Sequence, residues 1–240
     1  MKALLDRLLG RRSGTFDMGD LRSLQPVSDS FGQDRGTPIR RYYIQRFFEQ
    51  QRNRLKGHVL EVGDARYATM FAERGAKIDV LDPDPACPAA TIRGNLLTGE
   101  GVPRGCFDAI ILTQVLHVLP DMQAAISVAE AALKPGGCIL ATLPCITQVS
   151  RFDMDRWGDY WRVTDRGARA LFESSFPVSA VETSVYGNVL SAITSLTGLA
   201  AEELSSKELD FCDPDYQVLV CVVATKPTVP LTSTELLNHA

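Results

Sequence analysis

In this 240-residue sequence, four short polar clusters, each following an apolar run, hold the residue types able to do chemistry. The first is Glu61-Val62-Gly63-Asp64-Ala65-Arg66-Tyr67, the second Asp82-Pro83-Asp84, the third Gly94-Asn95-Leu96, and the fourth holds Thr113, Gln114 and His117. A glycine at position 63 lets the backbone approach a ligand closely, and Glu61 or Asp64 can neutralise a cation or accept hydrogen bonds from an amine. A carboxylate like Asp82, about 20 residues beyond the first turn, suits a ribose diol. The plainer reading of Asp82 is a solvated carboxylate in a proline-rich turn. Asn95 offers an amide able to read an adenine edge, or it serves only its own turn. His117 titrates close to neutrality and suits proton transfer from a hydroxyl. It can equally line a pocket without moving a proton.

A fifth stretch, residues 148–162 (QVSRFDMDRWGDYWR), is too polar and aromatic for a plain connector. Trp157, Tyr160 and Trp161 offer apolar faces, which suit sugar rings or a sulfonium. Asp153, Asp155 and Asp159 are further base candidates, and Asp159 and Tyr160 join His117 as the catalytic set. Arg151, Arg156 or Arg162 can bind a carboxylate or phosphate on a substrate. The alternative is that Asp159 and Arg162 form a structural ion pair that anchors the next helix. Arg41 and Tyr43, earlier in the chain, are expected to border the same pocket.

The clusters need elements that bring them to one place. Apolar runs read as buried strands at 58–62, 77–81, 107–112 and 138–143, with a short strand at 90–92. Helical periods occupy 67–74 and 122–133 between them. An earlier helix starts with Thr37 as its cap and Pro38 in its first turn, followed by Ile39, Tyr42, Tyr43, Phe47 and Phe48 at helical spacing. Lys134-Pro135-Gly136-Gly137 stops a helix and turns the chain into a strand. The second half is expected to hold a helix at 165–176, a strand near 180–186, a helical insert near 188–204 and a last strand at 216–225. Strands alternating with helices imply a mainly parallel sheet covered on both faces, whose ligands lie beyond the carboxyl ends of the strands.

The totals bound the class of protein. A chain of this length makes one domain with an arm, here residues 1–36 as arm or irregular lid, 37–226 as the domain and 227–240 as a tail. The formal net charge of −4, with no basic block beyond the first dozen residues, offers no phosphate-binding face for nucleic acid. Six scattered cysteines without metal spacing read as reduced, structural thiols of a cytoplasmic protein. The opening MKALLDRLLGRR is too short for a signal peptide or a spanning helix, so no stable membrane insertion is expected. It is either a short amphipathic helix that touches a membrane or partner, or an arm packed loosely on the domain.

The runs VLEVGDARY, VLDPDP, GNL, FDAIILTQVLHVL and LKPGGCILATLP, in that order, resemble the successive motifs of class I SAM-dependent methyltransferases. The resemblance spans about residues 57–144, and DYWRVT before the next helix resembles a subgroup found alone or fused to glycosyltransferases. It implies a single-domain, Rossmann-like, seven-stranded and mostly parallel α/β sheet, with S-adenosyl-L-methionine (SAM) as cofactor. It further implies that Glu61, Gly63 and Asp64 face the methionine part, Asp82 and Pro83 the ribose, Asn95 and Leu96 the adenine, and Thr113 and Gln114 the amine or sulfonium. Tyr43, Arg151, Trp157, Trp161 and Arg162 are left for the acceptor. One departure matters: the glycine-rich turn keeps only Gly63. The missing glycines disfavour NAD, whose pyrophosphate needs that cradle. The expectation is O-methylation of a sugar or glycosylated small molecule, by a chain able to self-associate, without a bound metal. A non-catalytic scaffold module and an N- or C-methyltransferase are the alternatives.

Overall fold

The computed structural model describes residues 18–228. The opening amphipathic stretch and nearly all of the tail therefore lie outside the described residues. Seven strands form one sheet: β1 (His58–Val62), β2 (Lys77–Asp82), β3 (Ile92–Arg93), β4 (Phe107–Thr113), β5 (Leu133–Pro144), β6 (Val181–Tyr186) and β7 (Leu219–Thr225). Their order is β3-β2-β1-β4-β5-β7-β6. The first five pair in parallel, and β7 runs antiparallel between β5 and β6. The chain steps outward from β1 to β3, then returns to lay β4 on the other side of β1. That reversal splays the connections apart and opens a crevice at the carboxyl ends of β1 and β4.

Both faces of the sheet are buried, which is why its strands read as apolar runs rather than alternating ones. Leu60, Ile110 and Leu112 point into one core, and Val59, Ala109 and Ile111 into the other. Helix α1 (Ile39–Gln50) and helix α2 (Arg66–Phe71) cover the second core through Phe47, Phe48, Tyr67 and Phe71. Helix α3 (Met122–Ala132) packs Ala125, Ile126 and Ala129 on the first, with its amino end capped by Asp121, which accepts from Ala124 N. A four-residue turn, α4 (Arg151–Met154), follows β5, and α5 (Asp165–Glu173) adds Ala168 and Phe172 to the first core. Helix α6 (Val189–Thr197) and the short α7 (Ser206–Asp210) close the second. Among the described residues no helix is long and apolar enough to cross a membrane.

Several boundaries differ from the sequence expectation. Thr37 caps nothing: Pro38 occupies the cap position, α1 starts at Ile39, and Thr37 N instead donates to Glu202 Oε2. The Lys134–Gly137 turn is a bulge within β5. Leu133 already pairs with Phe107, and pairing resumes at Cys138 opposite Ala109, with Gly136 at φ +81° in between. The insert near 188–204 forms a helix only to Thr197, because Gly198 takes a left-handed conformation there. The last strand starts at Leu219 rather than at 216, since Asp213–Tyr216 is closed by a turn hydrogen bond. The third strand shifts to Ile92–Arg93, and the helix expected over 67–74 is shorter, Arg66–Phe71.

Candidate active site

A crevice of about 790 Å³ opens at the switch between β1 and β4. That volume lies in the range of small-ligand sites. Its floor comes from Glu61, Gly63, Asp64, Asp82, Thr113, Gln114 and His117, so three of the four polar clusters meet there. The walls come from the first turn of α1, from the 29–33 segment, and from residues 148–162.

Glu61 is 1% exposed and does more local work than its type promises. Its carboxylate accepts from Tyr67 N (3.2 Å) and Ala68 N (2.8 Å), so it caps α2 and shapes the turn that holds Gly63. Burial pushes its pKa up to about 7 against those two hydrogen bonds. Gly63 has φ +88°, with open space where a Cβ would stand. Only a glycine takes that conformation without strain, and here it leaves room for a ligand against the backbone. Asp82 Oδ1 accepts from Asp84 N at 2.7 Å, which leaves Oδ2 without a hydrogen bond among the described residues.

Gln114 is one of two non-glycine residues with positive φ (+55°) among the described residues. Strain of this kind persists only where surrounding contacts enforce it. Here its N donates to Thr142 O, its Nε2 to Thr142 Oγ1, and its Oε1 accepts from Arg40 Nη1. The other such residue, Phe31 (φ 59°), also lines the crevice. Two buried polar atoms, Thr113 Oγ1 and His117 Nδ1, have no hydrogen-bond partner among the described residues, and both residues line the crevice. Buried groups left without partners are costly, so the pair marks where a ligand would be held.

His117 is 4% exposed, and burial pushes its pKa down to about 4. Its Nε2 lies 3.9 Å from Asp159 Oδ1. Asp159, a base candidate by its residue type, is committed elsewhere. Arg162 grips it through Nη1 (2.6 Å to Oδ1) and Nη2 (2.8 Å to Oδ2), and Ser150 N donates to Oδ2 at 2.8 Å. Together these bonds hold Asp159 below the usual carboxylate range against its burial. The structural ion pair is the better reading of the two residues. Arg162→Ala strands that carboxylate in a fully buried position, and such a loss costs about 3–5 kcal/mol. The expected result is a melting temperature lower by about 10 °C. An unchanged melt would mean that Asp159 rehydrates freely.

Other candidates are corrected by their surroundings. Tyr43 is 1% exposed, its hydroxyl donates to Leu209 O, and its ring stacks on Tyr186, so it is core and does not meet an acceptor. Asn95 and Leu96 do not line the crevice: Asn95 Oδ1 accepts from Leu97 N, and Leu96 is buried in the first core. Pro83, Asp155, Arg156, Tyr160 and Trp161 are also outside the lining. Tyr160 and Trp161 contribute backbone instead, both donating to His117 O, while the Trp161 indole donates to Leu119 O. Arg41, Arg151, Asp153, Trp157 and Arg162 do line the crevice. So do Arg40, Arg66, Phe31 and Phe152, which the sequence did not single out. The signal that could have found Arg40 is its place beside Arg41 in the first turn of the same helix.

The fold, the switch-point crevice and the open turn at Gly63 define a SAM-dependent methyltransferase architecture, and the residues present fit that cofactor. The chain belongs to the methyltransferase-domain family, whose profile matches residues 35–176, more than half of its length. S-adenosyl-L-methionine is its cofactor. Among solved structures, it is similar to a SAM-dependent methyltransferase from Archaeoglobus fulgidus (11% identity, 77% of this chain and 94% of that one, TM-score 0.52). It is also similar to the [4+2]-cyclase SpnF (17%, 95% and 93%, TM-score 0.54) and to the carbon methyltransferase of CurJ (15%, 93% and 64%, TM-score 0.52). At these identities the likeness is one of fold. No curated protein matches the sequence.

Proposed function

We propose that this protein O-methylates a hydroxyl of a sugar or glycosylated small molecule. The observation that carries the reading is His117, a buried ring on the lining of the crevice whose Nδ1 has no partner among the described residues. When bound, SAM supplies a methyl group already activated for transfer. What the chain must add is position, exclusion of water and a destination for the hydroxyl proton.

Asp159, fixed by Arg162 and Ser150, faces Nε2 of His117. At 3.9 Å it acts on the ring through space rather than through a hydrogen bond, and so biases its orientation. Because burial pushes its pKa down to about 4, His117 is unprotonated across the physiological range and is a weak base before a ligand is bound. Asp159 is thus a positioning residue. Trp157 and Phe152, both lining the crevice, provide the flat apolar faces on which a sugar ring packs.

The test is transfer from tritiated-methyl SAM to small-molecule extracts of the source cells, followed by alkali. Label that survives alkali but is then released as methyl iodide by hydriodic acid is ether-linked, and is the expected result. Label released as methanol marks a methyl ester, and label on an amine or carbon points to another nucleophile. Either would sink the hydroxyl reading. A protein that binds SAM yet labels nothing would be a scaffold.

A further inference from the structure

Arg40 is a cation that no carboxylate among the described residues holds. It stands in the first turn of α1, on the crevice wall. Among those residues its one side-chain hydrogen bond runs from Nη1 to Gln114 Oε1 at 3.3 Å, and its guanidinium lies 5.0 Å over the ring of Phe31. Arg162, in the same crevice, is neutralised by Asp159 in two short hydrogen bonds. Asp159 is hydrogen-bonded to Arg162, and both it and Asp153 act on Arg40 only through space. A guanidinium has five N–H donors in a planar fork, and here one is used. Partly buried without a counter-ion, such a group is costly unless a ligand completes it.

The location of Arg40 says which part of a ligand it meets. The charges felt at His117 are those of Asp159, Arg40, Asp153 and Arg162. Those felt at Tyr67, behind the Gly63 turn, are Arg41, Arg66, Glu61 and Asp64. Arg40, hydrogen-bonded to Gln114 three residues before His117, thus lies toward the proton-transfer end of the crevice.

Building on the O-methylation reading, we propose that the acceptor carries a carboxylate or phosphate group, and that Arg40 pairs with it beside His117. This pairing selects acidic sugars or sugar phosphates over neutral ones, because the planar fork matches both anions and neither is offered by a plain hydroxyl. It also has a consequence for the base. The positive charge of Arg40 is one of the influences that lower His117. An anion placed on Arg40 offsets that influence, while burial, the larger one, remains.

Two measurements test the proposal. In the first, the small-molecule extract is split on an anion-exchange resin and each fraction is offered with tritiated-methyl SAM. Ether-linked label in the retained fraction is expected. Ether-linked label, released by hydriodic acid, only in the unretained, neutral fraction overturns the anionic acceptor while leaving O-methylation standing, and no label in any fraction overturns both. In the second, Arg40→Gln and Arg40→Lys are compared with the unmodified chain, after melting curves establish that each is folded. SAM affinity by calorimetry should stay within about twofold. The amount of the retained fraction needed for half-maximal rate should rise about 10- to 100-fold for Arg40→Gln, and less for Arg40→Lys. A tenfold loss of SAM affinity with an unchanged acceptor requirement would assign the guanidinium to the carboxylate of the cofactor and overturn the proposal.

Discussion

His117→Ala is expected to lower turnover by about 100- to 10,000-fold, the usual contribution of a positioned general base. SAM affinity should change by less than about twofold in the same variant. The split matters because a pocket-lining histidine would lose binding and turnover together. The size of the effect follows from the isolation of the ring: 4% exposed, Nδ1 unpartnered among the described residues, and Nε2 facing a carboxylate that is itself immobilised. No other unpartnered basic nitrogen is buried in the crevice wall among the described residues, and the nearest carboxylate is occupied by Arg162. The pH profile gives a second reading. With a folded pKa of about 4, His117 stays neutral well below the usual histidine range, so the free-enzyme profile should show no acid limb near 6.5. A limb centred there, absent from His117→Gln, would place the ring in a wetter setting than the structure does.

Asp82→Ala is expected to weaken SAM binding by about 10- to 100-fold, the loss of a hydrogen bond to a charged group. The chain should keep its fold, since Asp82 is half-exposed at the carboxyl end of β2 and packs no core. One complication is local: Asp82 Oδ1 also accepts from Asp84 N and so shapes its own turn. Asp82→Asn keeps an oxygen for that bond while removing the charge. An intermediate loss in Asn and a larger one in Ala, read by calorimetry with matching melting curves, would assign Oδ2 to the cofactor. Equal affinity in all three would remove Asp82 from the site.

Much of this site is legible in the order of residues along the chain. Gly63, Asp82, Thr113, Gln114 and His117 each follow an apolar run by a few residues, and a parallel sheet must deliver such positions to one rim. What the residue types do not say is how each spends its hydrogen bonds. Glu61 has the chemistry of a ligand for a cation and caps α2 instead, because the turn after β1 brings two helix N–H groups onto its carboxylate. Asp159 has the chemistry of a base and is locked by Arg162, three residues on, since the loop curls enough for both to share one buried position. Tyr43 has the spacing of a border residue, but one turn further along α1 than Arg40 its hydroxyl is taken by Leu209 O and its ring by Tyr186, inside the core.

Local chemistry along the chain determined the kind of fold: buried apolar runs demand a sheet covered on both sides, and the polar residues that follow them demand its carboxyl rim. The antiparallel insertion of β7 between β5 and β6 was decided only in three dimensions, because strand order depends on which edges remain open when the chain returns. The same holds for the missing counter-ion of Arg40 among the described residues and for the occupied state of Asp159. Whether a charge is free or satisfied is a property of distances between segments, and distances of that kind are not written in any one segment.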